Sequence, residues 1–279
     1  METQRTINRD FSLSGKGLQT GKKVEVFFYP EEENKGIILK RKDFPKNEPL
    51  VLGSGGLKFN SSRRSIVGKG KNSVETIEHV LASLHGLGID NARIEMTGSE
   101  PPGMDGSAKI FTEAIRKAGI KEQKEERRYL RITKPLWVED KEAFVGIFPS
   151  DKFKVSFLID YPVASIGRQT FSGEIEPEIF EKEIASARTF CLKEQALLLL
   201  KMGFGKGANV KNTLVMDADG PMDNELRFPD EPVRHKVLDL IGDLYLLGRP
   251  LKARVVGVRS GHRLNLKLME KLKKEYACK

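Results

Sequence analysis

Residues 234–243 spell Arg-His-Lys-Val-Leu-Asp-Leu-Ile-Gly-Asp, a pattern that predicts a buried helix with polar groups on one face. Apolar residues recur throughout the surrounding segment, 232–247, as is typical of a helix that packs in a core. His235 and Asp239 are four residues apart, so their side chains would project one turn from each other. An unpaired carboxylate beside an apolar face is costly to bury, and a shared metal ion would satisfy both groups. The alternative is a capping histidine with a surface acid. Asp243, one turn further on, would either orient a histidine or lie exposed.

A second segment, residues 76–79, places a glutamate directly before a histidine in Thr-Ile-Glu-His. With His235 and Asp239, His79 would complete the three protein ligands of a catalytic zinc site, whose fourth position stays open. Glu78 would then be the general base. The alternative is that His79 is a core histidine. The spacing differs from His-Glu-x-x-His, so a standard metalloprotease is disfavoured.

The two remaining histidines, His85 and His262, stand in different surroundings. His85 lies near the end of the first predicted helix, where capping or surface histidines are common. His262 follows a β-rich run in Arg-Ser-Gly-His-Arg, residues 259–263, and a loop after a strand is a favourable position for a general acid. An exposed loop histidine is the alternative.

Two glycine-rich segments indicate turns. Residues 203–207, Gly-Phe-Gly-Lys-Gly, have the glycine content of a phosphate-binding loop but lack the Walker spacing and the Lys-Ser/Thr ending. Residues 101–107, Pro-Pro-Gly-Met-Asp-Gly-Ser, combine turn residues with a helix N-cap. A turn is therefore favoured over a nucleotide site in both segments.

The hydrophobic pattern predicts an α+β fold made of two similar halves, each with strands followed by helices. We expect an N-terminal domain at residues 1–122 and a C-terminal domain at 128–279, with an apolar insert near 188–206. The charged segment 121–128 is interpreted as a solvated linker between them. Predicted strands cover 10–14, 24–29, 36–41, 91–96, 130–139, 143–149, 154–160, 213–216 and 253–258. Predicted helices cover 73–86, with a capping box from Asn72 and Glu75, and 108–118, 177–187, 192–202, 232–247 and 264–276.

The composition is that of an ordinary soluble globular protein, with 39% hydrophobic and 31% charged residues. A formal net charge of +9 favours an anionic partner such as a phosphate or a nucleotide. The positive charge is scattered and no standard nucleic-acid motif occurs, so no nucleic-acid partner is expected. No apolar run approaches the roughly 18 residues of a membrane span, and no secretory signal is evident. The two cysteines, Cys191 and Cys278, cannot form a disulfide framework, so the cytoplasm is the expected compartment.

Seven segments, taken in order along the chain, resemble one family, the zinc-dependent UDP-3-O-acyl-N-acetylglucosamine deacetylases of lipid A biosynthesis. They are residues 17–21, 74–91, 104–107, 187–190, 211–215, 231–248 and 260–262. One such motif would be weak, whereas seven in family order across nearly the whole chain are specific. The departure is Gln19, where the family usually has histidine. If that residue touches the substrate, the nucleotide contacts would differ.

The resemblance implies a role for each candidate residue at the reacting centre. One Zn2+ ion would be bound by His79, His235 and Asp239, and Glu78 would activate water. His262 would stabilise the oxyanion and protonate the leaving amine, with Asp243 holding it. Thr189 would hydrogen-bond the tetrahedral intermediate.

Substrate binding is implied at four further places. Phe190 and the helix 192–202 would form a hydrophobic passage for the acyl chain, and Lys236 and Arg259 would lie near the sugar and diphosphate. The implied fold has its helices packed between two outer sheets.

The implied reaction is deacetylation of UDP-3-O-acyl-N-acetylglucosamine to the free amine and acetate, the committed step of lipid A biosynthesis in Gram-negative bacteria. A monomer is expected, with peripheral contact with the inner membrane as a hypothesis. Two alternatives stay open: a zinc amidohydrolase acting on a different N-acyl substrate, and a basic anion-binding module with a structural metal or none.

Overall fold

Two β-sheets with the same strand topology frame the molecule. The structure is a computed structural model that describes residues 2–54, 59–61 and 64–276; Cys278 lies outside them. The strands are β1 (Thr3–Ile7), β2 (Phe11–Lys16), β3 (Lys23–Pro30), β4 (Ile37–Arg41), β5 (Leu50–Val51), β6 (Phe59–Ser61), β7 (Ser65–Val67), β8 (Val74–Glu75), β9 (Ala92–Met96), β10 (Ile120–Glu126), β11 (Leu130–Arg131), β12 (Leu136–Asp140), β13 (Ala143–Pro149), β14 (Lys154–Asp160), β15 (Arg168–Glu174), β16 (Phe190–Leu192), β17 (Leu214–Asp217), β18 (Gly220–Pro221) and β19 (Leu251–Val258). The α-helices are α1 (Glu78–Gly86), α2 (Lys109–Ala118), α3 (Pro177–Ile179), α4 (Lys193–Lys201), α5 (Glu231–Tyr245) and α6 (His262–Glu275).

The two halves repeat one topology. The first sheet has the order β2-β3-β9-β4-β5, in which β9 is antiparallel to β3 and parallel to β4. The second has the order β12-β13-β19-β14-β15, in which β19 is likewise antiparallel to β13 and parallel to β14. In each half the central strand is preceded by a helix, α1 or α5, and followed by another, α2 or α6. The predicted α+β class is confirmed, while the domain limits 1–122 and 128–279 stay a prediction.

The helices α1 and α5 pack against each other at the centre. All of α1 is buried, and so is all of α5 except Arg234 and Lys236. A Cβ atom on Gly242 would lie 2.1 Å from the main-chain oxygen of Glu78, so only glycine allows this close approach. One continuous apolar core includes both helices and side chains of both sheets. The first turn of α1 is thereby held against the middle of α5.

The first predicted helix, 73–86, is wrong at its start. Val74–Glu75 forms strand β8, paired with β7, and the helix begins at Glu78. Thr76 between them has φ 52°, a left-handed conformation that is rare for a β-branched residue and cannot continue a helix. The proposed capping box is therefore absent, since Asn72 lies in a 3-10 turn. Apolar spacing alone did not reveal the break.

The charged segment 121–128 is not a simple linker. Most of it belongs to β10, which pairs antiparallel with β1. Its side chains are largely exposed, as the charge pattern predicts, but backbone hydrogen bonds do not depend on side-chain polarity.

Two further elements differ from prediction. The predicted strand 130–139 divides into β11 and β12 around Pro135, and the predicted helix 177–187 becomes α3 followed by a π-helical turn, Phe180–Ile184. Among the described residues, no helix has the length and apolar character needed to span a membrane.

Candidate active site

Three helices bring the candidate residues to one buried place. Glu78 and His79 are the first two residues of α1, His235 and Asp239 lie on the inner face of α5, and His262 begins α6. All five are less than a tenth exposed. The structure therefore unites segments that are more than 150 residues apart in sequence.

A cluster that could bind a metal ion is formed by His79, His235 and Asp239. Among the residues that the structure describes, it is the one group of three or more His, Cys, Asp or Glu side chains whose ligand atoms lie close enough together for this. Oδ1 of Asp239 is 3.3 Å from Nε2 of His235 and 3.9 Å from Nε2 of His79. Metal–ligand bonds of about 2.0–2.1 Å in a tetrahedral zinc site place neighbouring ligand atoms roughly 3.3 Å apart. The separations therefore fit a zinc ion after a small closure.

The hydrogen bonds around the cluster orient its ligand atoms. Nδ1 of His235 lies 3.0 Å from the carbonyl oxygen of Ala187, so this nitrogen is assigned as the protonated one and Nε2 keeps its lone pair. Nζ of Lys236 donates to Oδ2 of Asp239 at 2.6 Å, which leaves Oδ1 facing the two imidazoles. These contacts turn Nε2 of His235 and Oδ1 of Asp239 towards the side on which Nε2 of His79 lies.

The protonation states also suit a metal. Burial, reinforced by the neighbouring His235, lowers the pKa of His79 to about 3, and burial lowers the pKa of His235 as well. Burial opposes ionisation of Asp239, but its electrostatic interactions with His235 and with the cationic Lys236 outweigh it and hold its pKa well below the usual range. Neutral imidazoles and an ionised carboxylate are the forms that bind metal ions.

Beside the cluster lies a second pair of buried titratable groups. Nε2 of His262 is 3.8 Å from Oε1 of Glu78, and Nδ1 of His262 is 2.9 Å from Oδ2 of Asp243. Burial raises the pKa of Glu78 to about 7. Burial disfavours protonated His262, but the charges of Asp243 and Asp239 prevail and raise its pKa to about 10. A carboxylate poised near neutrality and a cationic imidazole are suited to general base and general acid roles.

Comparison with known proteins identifies the family. A family model described as UDP-3-O-acyl N-acetylglycosamine deacetylase, LpxC, matches residues 4–274. The chain belongs to this family. A relative named UDP-3-O-acyl-N-acetylglucosamine deacetylase from Chlamydia pneumoniae is 39% identical over 272 residues, which cover 97% of this chain and 96% of the relative. Relatives of the same name from Acidithiobacillus ferrooxidans and Thermodesulfovibrio yellowstonii are 41% and 40% identical and cover 98% of this chain, with 90% and 92% of their own lengths matched.

A cavity of about 680 Å³ opens beside the cluster in this member of the LpxC family. Its walls include Thr189, Phe190 and Lys236, all three of which the sequence analysis singled out. Most of the remaining wall is apolar and comes from α4, the loop that follows it and β17, with Leu198, Leu199, Leu200, Met202, Phe204, Val210 and Val215. The predicted helix 192–202 is thus α4, and it forms part of the apolar wall of the cavity.

Arg259 stands apart from the other candidate residues. It is not among the residues that line the cavity, and its guanidinium is paired with Glu142 and, at 3.1 Å, with Asp160. Asp243 also lies outside the cavity wall, behind His262. The structure therefore brings nine of the ten predicted site residues together, eight in the wall and one directly behind it.

Sequence reasoning missed the other partners of Asp243. The hydroxyl of Ser65 donates to Oδ1, and Nδ2 of Asn265 donates to Oδ2 at 2.8 Å. Both residues are buried. Asn265 follows His262 by three residues on α6, a spacing that could have indicated it. Ser65 lies on β7, and no local pattern links it to α5.

His85 is neither a capping nor a surface residue. It is buried, and its ring stacks on Tyr245 and Phe153 with centroid distances of 4.5 and 5.0 Å. Its Nδ1 lies 3.2 Å from the carbonyl oxygen of Ile241. The helix end is enclosed by the second half of the chain, which the local sequence does not show.

Proposed function

We propose that this chain hydrolyses the N-acetyl group of UDP-3-O-acyl-N-acetylglucosamine, with one Zn2+ ion held by His79, His235 and Asp239. One observation carries the proposal: a cluster fit for a metal ion lies beside Glu78 and His262 in the wall of a largely apolar cavity. Family membership supports the choice of substrate.

A zinc ion bound there would lower the pKa of water and polarise the amide carbonyl. Glu78 accepts a proton from the attacking water, since its raised pKa makes it a competent base near neutral pH. A carbon–oxygen bond then forms at the carbonyl carbon, and the hydroxyl of Thr189 is proposed to hydrogen-bond the developing oxyanion.

His262 completes the reaction as general acid. Its Nε2 faces Glu78 and the cluster, while Asp243 accepts a hydrogen bond from Nδ1 and stabilises the imidazolium. The Nε2 proton passes to the amide nitrogen as the carbon–nitrogen bond breaks, which releases acetate and the free amine. Because Asp243 also accepts from Ser65 and Asn265, the ring of His262 is held in one orientation.

We propose that the remaining surface of the cavity binds the rest of the substrate. The apolar walls from α4 and Phe190 would enclose the acyl chain, and Lys236, whose pKa is raised by Asp239 despite burial, would stay cationic near the sugar. We also propose Arg259 as a contact to the diphosphate, for which it would exchange Glu142 or Asp160 for a phosphate oxygen.

Membrane contact is proposed at α4 and the loop behind it. Leu197, Leu200 and Met202 are 58–61% exposed, and exposed lysines accompany them at 201, 206 and 211. Apolar side chains with a basic surround suit an anionic lipid surface. Sedimentation with anionic vesicles at physiological salt tests this, with Leu197→Glu as the variant and neutral vesicles as control; absence of the wild type from the anionic pellet would refute it. A cytoplasmic monomer stays the prediction.

The deacetylation is tested by amine release from UDP-3-O-acyl-N-acetylglucosamine. We expect activity in the wild type, its loss in His235→Ala and after chelation, and recovery of the chelated protein with about one equivalent of Zn2+. His85→Asn is the matched histidine control and should retain activity. A wild type that binds zinc and leaves this substrate intact would favour another N-acyl substrate.

A further inference from the structure

The glycine-rich loop 203–207 is bound to the first half of the chain. Three successive amides of the loop donate to residues 18 and 19: Gly205 to the side-chain Oε1 of Gln19 at 3.2 Å, Lys206 to the carbonyl of Gln19 at 3.1 Å, and Gly207 to the carbonyl of Leu18 at 3.1 Å. In a phosphate loop such amides would face an anion. In this protein the three amides instead donate to oxygen atoms of Leu18 and Gln19, so the loop resembles a phosphate site only in composition.

The receiving turn is itself held firmly. The main-chain amides of Gln19 and Thr20 donate to the two oxygens of Glu100, at 3.1 and 2.7 Å, and Glu100 is only 2% exposed. A Cβ atom on Gly207 would lie 2.1 Å from the main-chain oxygen of Gly17, so the two backbones touch. The turn is therefore held by its own hydrogen bonds to Glu100, independently of the loop that rests on it.

This junction forms part of the cavity wall. Leu18, Gln19 and Arg64 line the cavity from the first half, and Phe204 and Gly205 line it from the loop. The guanidinium of Arg64 lies 5.4 Å from the ring centroid of Phe204 and is anchored by Glu75 at 2.7 Å. The loop follows α4 almost directly, so its position affects how that helix is placed against the cavity.

We propose that Gln19 is a specificity-determining residue: its side-chain oxygen fastens the loop 203–207 to the first half and thereby limits the length of acyl chain that the cavity accepts. Two of the three loop bonds end on main-chain carbonyls that any residue supplies. The bond to Gly205 depends on the side chain at position 19, which makes it the adjustable one. The proposal rests on the proposed function only in taking the occupant to be an acyl chain.

Hydrogen exchange of the loop amides in the full-length protein tests the fastening directly. Gln19→Met keeps the size of the side chain and removes the acceptor, so the Gly205 amide should exchange about two- to tenfold faster, the effect of losing one ordinary hydrogen bond. The amides of Lys206 and Gly207 keep their acceptors and should change less. Gln19→Glu retains an acceptor and should keep Gly205 protected. Unchanged exchange at Gly205 in Gln19→Met would overturn the proposal.

Chain-length preference tests the consequence. The ratio of kcat/KM for a long-acyl to a short-acyl substrate should rise about threefold or more in Gln19→Met and return to the wild-type value in Gln19→Glu. It should stay at the wild-type value in Gln4→Met, which loses the hydrogen bonds of the Gln4 side chain to Asn34, Asn91 and the Glu126 carbonyl, away from the residues that line the cavity. Faster exchange at Gly205 with an unchanged ratio would make Gln19 merely structural and refute the proposal. If the wild type deacetylates nothing, the proposed function fails, and the proposal for Gln19 is tested by binding instead. The ratio of the calorimetric affinities for palmitate and octanoate should then rise in Gln19→Met relative to the wild type.

Discussion

Nε2 of His262 lies 3.8 Å from Oε1 of Glu78, and the surroundings raise the pKa of both groups: burial raises that of Glu78, and the charges of Asp243 and Asp239, which outweigh burial, raise that of His262. Glu78 is proposed as the base and must be ionised; His262 is proposed as the acid and must be protonated. The raised pKa keeps His262 protonated at neutral pH, whereas it leaves Glu78 only partly ionised there and makes it a stronger base.

A bell-shaped dependence of kcat/KM on pH is therefore expected. Activity should fall as pH drops through the pKa of Glu78, about 7, and again as pH rises through that of His262, about 10. The positive charge of bound Zn2+ moves both limbs downward from these values. Stopped assays across the pH range measure the profile. Glu78→Gln should remove the acid limb of the residual activity, and a limb that persists there would assign it to another group.

Ser65→Ala should weaken the acid without removing it. Asp243 loses one of its three donors in a buried place, which we expect to cost about 1–3 kcal/mol in the free energy of unfolding and to lower kcat more than it raises KM. Urea denaturation and steady-state kinetics measure the two effects. Ser156→Ala is the matched control, because its hydroxyl bonds Ser172 on the surface. Wild-type kcat in Ser65→Ala would show that Asp243 needs only His262 and Asn265.

Gly242→Ala should force α1 and α5 apart. Its Cβ atom would lie 2.1 Å from the main-chain oxygen of Glu78, and relief of that contact must shift the helix that carries the base. We expect a loss of about 1–3 kcal/mol in unfolding free energy and a marked loss of activity. Gly261→Ala is the stability control, since no atom lies within 4 Å of a Cβ there. Equal melting temperatures for the two variants would contradict this account of the helix contact.

His85 should make stability depend on pH between about 6.5 and about 4. Burial lowers its folded-state pKa to about 4, so the unfolded chain binds the proton more readily. The contribution of His85 to the free energy of unfolding is fully present above its unfolded-state pKa of 6.5 and is lost as the pH falls towards 4. A pKa shift of this size corresponds to a loss of about 3 kcal/mol. Unfolding free energies of the wild type and His85→Phe at pH 7 and pH 5 measure it. The variant should lose less stability on acidification, and an equal loss in both proteins would exclude His85 as the cause.

Much of the local structure could be predicted because it depends on short-range periodicity. The strands β13 and β14 begin and end where the alternating pattern predicts, and Gly119 closes α2 with φ 85°. The pairing of His235 with Asp239 also follows from four-residue spacing on one helix. The wrong predicted start of α1 and the missed pairing of β10 arise from contacts outside the local segment. The amides of Glu75 and Thr76 donate to the carbonyls of Ser99 and Ser65, and β10 pairs with β1 at the opposite end of the first half.

The sequence by itself therefore determined the α+β class, the two similar halves, and which residue types could form a metal cluster and an acid–base pair. Only the tertiary structure decided that Ser65 and Asn265 complete the setting of Asp243, that His85 is buried in an aromatic stack, that Arg259 pairs with acids outside the cavity, and that Gln19 holds the loop 203–207. The physical reason is that periodicity reports how one element is exposed to solvent. The partner of a buried polar group is chosen by the packing of the whole chain, where any nearby donor or acceptor can satisfy it.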